Sequence, residues 1–147
     1  MKTFKGRTAV ITGAGSGFGL ETSRIAAREG MNVVMADVQA DALDKAAAEV
    51  AAGGAKVLPW RLDVSKAAEV EALGAAVQER FGAPHFVFNN AGVGSGGLIW
   101  ENSVKDWEWV LGVNLTIAGL LETQAWIGDV LRFADCELAV SEPRYPC

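Results

Sequence analysis

The eight residues Thr12-Gly13-Ala14-Gly15-Ser16-Gly17-Phe18-Gly19 constrain this chain more than any others. They follow Thr8-Ala9-Val10-Ile11, a run that suits a strand buried on both faces. They lead into a small-residue helix pattern from about Gly17 to Glu29, with Gly30 placed as its left-handed stop. A tight turn off a buried strand needs positive φ, which glycine supplies at little steric cost. A diphosphate approaching the backbone needs a position without a side chain, and the helix start then offers unpaired N–H donors and a partial positive charge. The loop holds no Lys or Arg, so an anion bound there is held by backbone. The spacing is T-G-x-x-x-G-x-G. It is neither the G-x-x-x-x-G-K-[ST] of a P-loop nor a strict G-x-G-x-x-G, whose third glycine would fall on Phe18.

The same strand–helix rhythm continues downstream. Asn32-Val33-Val34-Met35-Ala36 reads as a second buried strand, and a helix from about Ala40 carries Leu43, Ala47 and Val50 on one face before Gly53-Gly54. Lys56 to Leu62 is a third strand, and Pro59 within it removes a ladder donor and favours an edge position. Ser65 is placed to cap a helix whose stripe is Val70, Leu73, Val77 and Phe81, closed by Gly82 and Pro84. His85-Phe86-Val87-Phe88 is the fourth strand. A last helix opens with the capping-box spacing Ser103 to Asp106 and runs through Trp107, Leu111, Asn114 and Ala118 on one face. Such alternation predicts an α/β fold, a Rossmann-type doubly wound parallel sheet in the order 3-2-1-4 with an incomplete second half. The ligand crevice is expected between strands 1 and 4.

Asp37 ends strand 2, 18 residues after Gly19, near the ~20 expected of a carboxylate that bonds an adenosine ribose. Two readings of it stand on the residues alone: a ribose ligand, or a cap for the second helix. As a ribose ligand it would repel a 2′-phosphate. No basic residue follows it, and Ser16 rather than Lys or Arg precedes Gly17, so NAD is expected rather than NADP. The net charge of −5, with no basic stripe, argues against nucleic acid. No apolar run approaches the ~20 residues of a membrane span, and the N-terminus lacks the pattern of a signal peptide. Cys136 and Cys147 have no metal-like or redox-like spacing and read as free thiols. The expected location is cytoplasmic.

The Thr12–Gly19 turn, Asp37, Asp63-Val64, Asn89-Asn90-Ala91-Gly92 and Asn114 together resemble the short-chain dehydrogenases/reductases, over about Lys5 to Leu120. The resemblance implies an oxidoreductase moving a hydride between NAD and an alcohol or carbonyl carbon. It makes Thr12, Gly13, Ser16, Gly17, Phe18 and Gly19 the phosphate side of the cofactor site, with Asp37 and Val38 at the ribose. Asp63 would accept from the adenine amino group with Val64 beside the ring. Asn90, Ala91 and Gly92 would line the adenosine side, and Asn89 would help fix the central strands. Asn114 would be the inherited catalytic position, supporting the water and backbone that lead to a lysine. On local evidence alone, Asp63 reads equally as a strand-end carboxylate bonded to backbone, and Asn114 as a satisfied core amide. The implied partners are the dinucleotide, a small alcohol or ketone, and a second copy of the chain.

The family pairs a tyrosine base with a lysine four residues later, because a phenol with a pKa near ~10 needs an adjacent cation to work near neutrality. Here the only tyrosine is Tyr145 and the last lysine is Lys105, so no Y-x-x-x-K exists. Ser141 stands at a family-like separation from Asn114 but in a polar, proline-broken tail. The division expected is a dinucleotide-binding domain over 1–120 and a divergent tail over 121–147. In that tail only a ragged helical pattern (Trp126, Val130, Phe133) and no clear strand are read, and the loss of pattern is taken as a reading-frame change or aberrant end. Impaired catalysis is therefore expected. The strand-4 edge and two helix faces should lack cover. The alternatives are a working enzyme using Tyr145 with Arg132 or Arg144, and a non-catalytic protein pairing through the Trp107–Ala118 helix.

Overall fold

A computed structural model describes residues 3–114, 130–133 and 136–139. Backbone contacts divide the chain into two units, Met1–Thr116 and Ile117–Cys147. The first unit contains β1 (Thr8–Thr12), α1 (Gly17–Arg28), β2 (Asn32–Asp37), α2 (Ala40–Ala52), β3 (Val57–Arg61), α3 (Ala67–Phe81), β4 (Phe86–Phe88) and α4 (Val104–Asn114). Its four strands are parallel in the order β3-β2-β1-β4, as the alternation predicts. Pro59 sits opposite Met35 on the edge strand β3, where its missing N–H costs no ladder bond.

Side-chain alternation along β1 and β2 splits the core into two layers. Ala9, Ile11, Val33 and Met35 face one way, against Ala26 of α1 and Leu43, Ala47 and Val50 of α2. Val10, Val34 and Ala36 face the other way, against Leu73 and Val77 of α3. Every residue of β1 is buried, which is why its sequence is apolar without alternation. Each fully buried aliphatic here stabilises by roughly 1.5–3 kcal/mol. The chain winds from β1 through β2 to β3 with its helices on one face, then returns over the other face through α3 to β4. That reversal opens a crevice beyond the carboxyl ends of β1 and β4.

β4 is the second edge among the described strands. Phe86 and Val87 on it are about half exposed, while His85 extends the pairing through its side chain. Its Nδ1 accepts the Thr8 N–H at 3.2 Å, and its own N–H donates to the Thr8 carbonyl at 2.9 Å. The expected capping box of α4 is present. The Ser103 N–H donates to Asp106 Oδ2 at 2.8 Å, and the Asp106 N–H donates back to Ser103 Oγ at 3.3 Å.

Two expectations need correction. Ser65 does not cap α3, whose N-cap is Lys66. Ser65 instead donates both its N–H and its hydroxyl to Asp63 Oδ1, at 3.0 and 2.6 Å. A preceding Asp competes for the serine and closes a turn before the helix begins. The Trp107–Leu111 face of α4 is uncovered, as expected. No residue of the helix is buried, and Trp107 and Leu111 are each about 40% exposed; Ala118 lies outside the described residues. In the second unit, Val130 and Phe133 belong to a strand rather than a helix. β5 (Val130–Phe133) pairs antiparallel with β6 (Cys136–Ala139), Val130 opposite Ala139 and Phe133 opposite Cys136. Apolar runs this short fit either period, so spacing alone does not separate strand from helix. Trp126, Ser141, Tyr145 and Cys147 lie outside the described residues. Among the described residues no helix is long and apolar enough to cross a membrane.

Candidate functional site: the cleft between β1 and β4

The crevice at the sheet reversal is an open cleft of about 430 Å³. The glycine turn forms one wall, with Gly13, Ser16, Gly17 and Phe18 lining it. Gly19 does not line it; a Cβ there would overlap the Gly13 carbonyl, so this glycine lets α1 start directly against the turn. Gly17 has φ +53° and nothing within 4 Å of an added Cβ. Ser16 at the N-cap makes no side-chain cap bond. The first-turn N–H groups of α1 are thus left to a ligand in the cleft, the arrangement that suits a diphosphate. Phe18 is 84% exposed at this wall.

Thr12 lies beneath the cleft instead of in its lining. Its Oγ1 accepts the N–H groups of Asn90 and Ala91, each at 3.0 Å. Asn90 answers with its side-chain amide, donating to the carbonyls of Thr12 at 3.1 Å and Gly13 at 3.4 Å. These bonds lash the end of β1 to the loop after β4 and hold Asn90, Ala91 and Gly92 at the cleft wall. Asn89 is exposed and takes no part in this lashing.

Two carboxylates, Asp37 and Asp63, also line the cleft, and each is bonded locally. Asp37 Oδ1 accepts the N–H of Gln39, the N-cap of α2, at 2.9 Å, so it does support the start of that helix. Its Oδ2 accepts the Gly15 N–H at 2.9 Å, tying it to the glycine turn, and it lines the cleft beside Val38. Asp63 gives Oδ1 to Ser65, and Lys66 Nζ lies 3.8 Å from Oδ2. The Ser65 hydroxyl, then the Ser65 N–H, and the nearby Lys66 charge hold the Asp63 carboxyl below its ordinary range. It is an ionised acceptor at neutral pH. Glu69 Oε2 accepts the Asp63 N–H at 2.7 Å and fixes the loop from behind. Val64 lines the cleft next to Asp63.

Asn114 is exposed and outside the lining, yet both ends of its amide are bonded. Its Oδ1 accepts the Val93 N–H at 3.2 Å, and its Nδ2 donates to the carbonyls of Val93 at 2.7 Å and Val110 at 2.9 Å. A Cβ on Gly92 would meet Asn114 Oδ1 at 2.9 Å. The side chain therefore pins α4 to the loop that follows β4.

Sequence reasoning missed the contribution of α4 to the cleft. Trp109 and Val113 both line it, and they are four residues apart, one turn along a single helix face. The apolar spacing of the sequence favours the Trp107–Leu111–Asn114 face instead. The signal was the i, i+4 pair Trp109 and Val113 just ahead of Asn114.

The family described as short chain dehydrogenase matches residues 7–127. The chain belongs to this family. Among relatives of this short-chain dehydrogenase is the CLA biosynthesis dehydrogenase/reductase of Lactiplantibacillus plantarum, 34% identical over 154 residues, covering 99% of this chain and 54% of the relative. A solved short-chain dehydrogenase/reductase from Burkholderia phymatum, in complex with NAD, superposes with a TM-score of 0.76 at 51% identity, over 78% of this chain and 41% of that one. L-Sorbose reductase of Gluconobacter frateurii, solved with NADPH and L-sorbose, gives a TM-score of 0.73 at 33% identity, over 77% of this chain and 43% of that one. The short-chain dehydrogenase chain thus spans about half the length, or less, of these relatives.

Proposed function

We propose that this chain binds NAD in the β1–β4 cleft as the dinucleotide-binding part of an oxidoreductase that moves a hydride between the nicotinamide and an alcohol or carbonyl carbon. One observation carries the reading: the fold gathers the glycine turn, Asp37, Asp63 and the Asn90-Ala91-Gly92 loop around one cleft at the sheet reversal. The residues fit the group. Open backbone at Gly17 and the uncapped start of α1 suit a diphosphate, Asp37 suits two ribose hydroxyls, and the outer Asp63 oxygen suits an amino donor. A fixed carboxylate at Asp37 disfavours a 2′-phosphate, so NAD is preferred over NADP.

When bound, NAD supplies the hydride acceptor, and the protein supplies binding and orientation. Asn114 is the catalytic position proposed within the described residues, holding the Val93 loop beside the cleft. The 147 residues contain no Y-x-x-x-K, so little or no turnover is proposed for this chain by itself. Its place of action is proposed to be the cytoplasm. Calorimetric titration tests the reading: NAD binds, NADP binds more weakly, and no alcohol drives NADH formation. A chain that ignores millimolar NAD overturns it.

A second reading has one observation in its favour. Val104, Trp107 and Leu111 are exposed on α4, which suits a pairing helix in a homo-oligomer. A clean monomer in sedimentation at tens of micromolar overturns that reading and leaves the first intact.

A further inference from the structure

The strongest unassigned feature of the cleft is the indole of Trp109. The residue lines the cleft while remaining 52% exposed, so one broad aromatic surface borders the cavity without being used in the core. Two ties hold α4 in place. Asn114 ties the end of the helix to the Val93 backbone with two bonds, and a Cβ on Gly112 would meet the Ser65 Cβ at 3.4 Å. The helix therefore lies against the Asp63–Ser65 loop. Trp109 stands one turn, about 5.4 Å, before Val113, which lines the same cleft. Trp109 shares the lining of this cleft with Leu62, Asp63 and Val64.

That stretch of lining combines an ionised carboxylate with small aliphatic walls. Such a surface suits a flat heteroaromatic ring that carries an amino donor on its edge and has an otherwise apolar face. Aliphatic side chains hold one face of the ring, and the other face needs a broad partner. An indole supplies it, because every nucleobase has a π-face and an aromatic surface loses little conformational entropy on stacking.

We propose that Trp109 is an adenine-binding residue, its indole closing the outer wall of the Asp63 subsite and stacking on the purine. The proposal rests on the reading that this cleft takes a dinucleotide, and adds a residue and a chemical contact to it.

The test uses the full chain, with AMP and NAD as probes and the variants Trp109→Phe and Trp109→Leu. AMP lacks the nicotinamide, so any quenching of tryptophan emission by AMP reports the purine end. The wild type binds AMP with quenching. Trp109→Leu keeps an apolar side chain but not the ring, and weakens AMP and NAD together by on the order of tenfold. Trp109→Phe binds AMP within about threefold of wild type, yet its AMP-dependent quenching disappears. The ligand-free melting temperatures of both variants stay at the wild-type value, because the indole is half outside the core. Unchanged AMP affinity in Trp109→Leu, or quenching that survives in Trp109→Phe, overturns the proposal and leaves the dinucleotide reading standing. A melting temperature that falls without any change in AMP affinity assigns the residue to packing and also overturns it. A wild type that binds neither AMP nor NAD removes the dinucleotide reading itself.

Discussion

Replacing Thr12 by valine is the sharpest perturbation of this site, because valine keeps the shape and removes only the hydroxyl. Thr12 is 9% exposed. Its Oγ1 is the acceptor for the N–H groups of both Asn90 and Ala91, and its own donation to the Phe88 carbonyl, at 3.5 Å, is weak. Valine thus orphans two donors at once. A buried unsatisfied N–H costs about 1–3 kcal/mol, and partial burial of these two favours the low end, about 1 kcal/mol each. The loss of about 2 kcal/mol corresponds to a fall in melting temperature of about 4–8 °C at this chain length. Thr12→Ser is the control. It keeps the acceptor and loses one methyl, about 0.8 kcal/mol, or roughly 2–3 °C. Thermal and urea unfolding followed by tryptophan emission measure both variants. The valine variant should melt below the serine variant and lose more NAD affinity, since the freed loop carries four cleft residues, Asn90 to Val93. If valine melts at or above serine, the two N–H groups find water as good a partner, and the lashing of β1 to the β4 loop is not what holds the cleft wall.

Asp37→Asn removes the charge that opposes a 2′-phosphate while keeping the Gly15 and Gln39 acceptors in part. The ratio of NADP to NAD affinity should rise about tenfold or more in calorimetry, and an unchanged ratio removes Asp37 from cofactor choice. Gly19→Ala gains about 1 kcal/mol of helix propensity but forces a Cβ into the Gly13 carbonyl. Backbone must shift, so net destabilisation of about 1–3 kcal/mol is expected, with loss of NAD binding; a more stable variant refutes the overlap. The Asp63 and Asp106 carboxyls are held below their ordinary value, chiefly by the hydroxyls of Ser65 and Ser103. Their stabilisation is therefore complete above that value and is lost as pH falls through the lower folded one. Melting temperature should be level from about pH 7 to 5 and decline below about pH 4, and the double variant Asp63→Asn, Asp106→Asn should show a shallower acid decline. An equally steep decline shows that neither carboxylate is linked to folding.

The sheet was legible because its two central strands are buried on both faces. Ala9 to Ile11 and Val33 to Ala36 are apolar without alternation, and only a parallel sheet covered on two sides calls for that. Most of the cleft was legible for a related reason. A doubly wound fold puts the residues at and just after strand ends at the ligand crevice, so Gly13, Asp37, Asp63 and Asn90 line one cleft because each ends a strand or follows one within two residues. Legibility failed where two local solutions compete over one or two residues. Ser65 can cap α3 or close a turn with Asp63, and the hydroxyl goes to the carboxylate two residues back. Trp107 and Trp109 lie on different faces of one helix, and an apolar face pattern favours the wrong one when the whole helix is exposed. The hairpin of β5 and β6 was invisible because four-residue strands carry too few positions to define a period.

The sequence also posed choices that the fold does not make exclusive. Asp37 and Asp63 each had a local reading and a ligand reading, and the local bonds leave room for the proposed ligand because a carboxylate has about four acceptor sites. At Asp63 the Ser65 N–H and hydroxyl fill the sites of Oδ1, which fixes the plane of the group and leaves Oδ2, near Lys66, to meet an incoming donor. At Asp37 one backbone N–H on each oxygen does the same. Local bonding of this kind removes the rotational freedom that a ligand would otherwise have to freeze on binding. Stripping it therefore weakens binding even where every ligand-contacting atom remains. Ser65→Ala should lower AMP affinity while leaving Asp63 in place, by a factor smaller than Asp63→Ala produces. Equal affinity in Ser65→Ala and wild type, measured by calorimetry, means that the turn serves the helix and not the ligand.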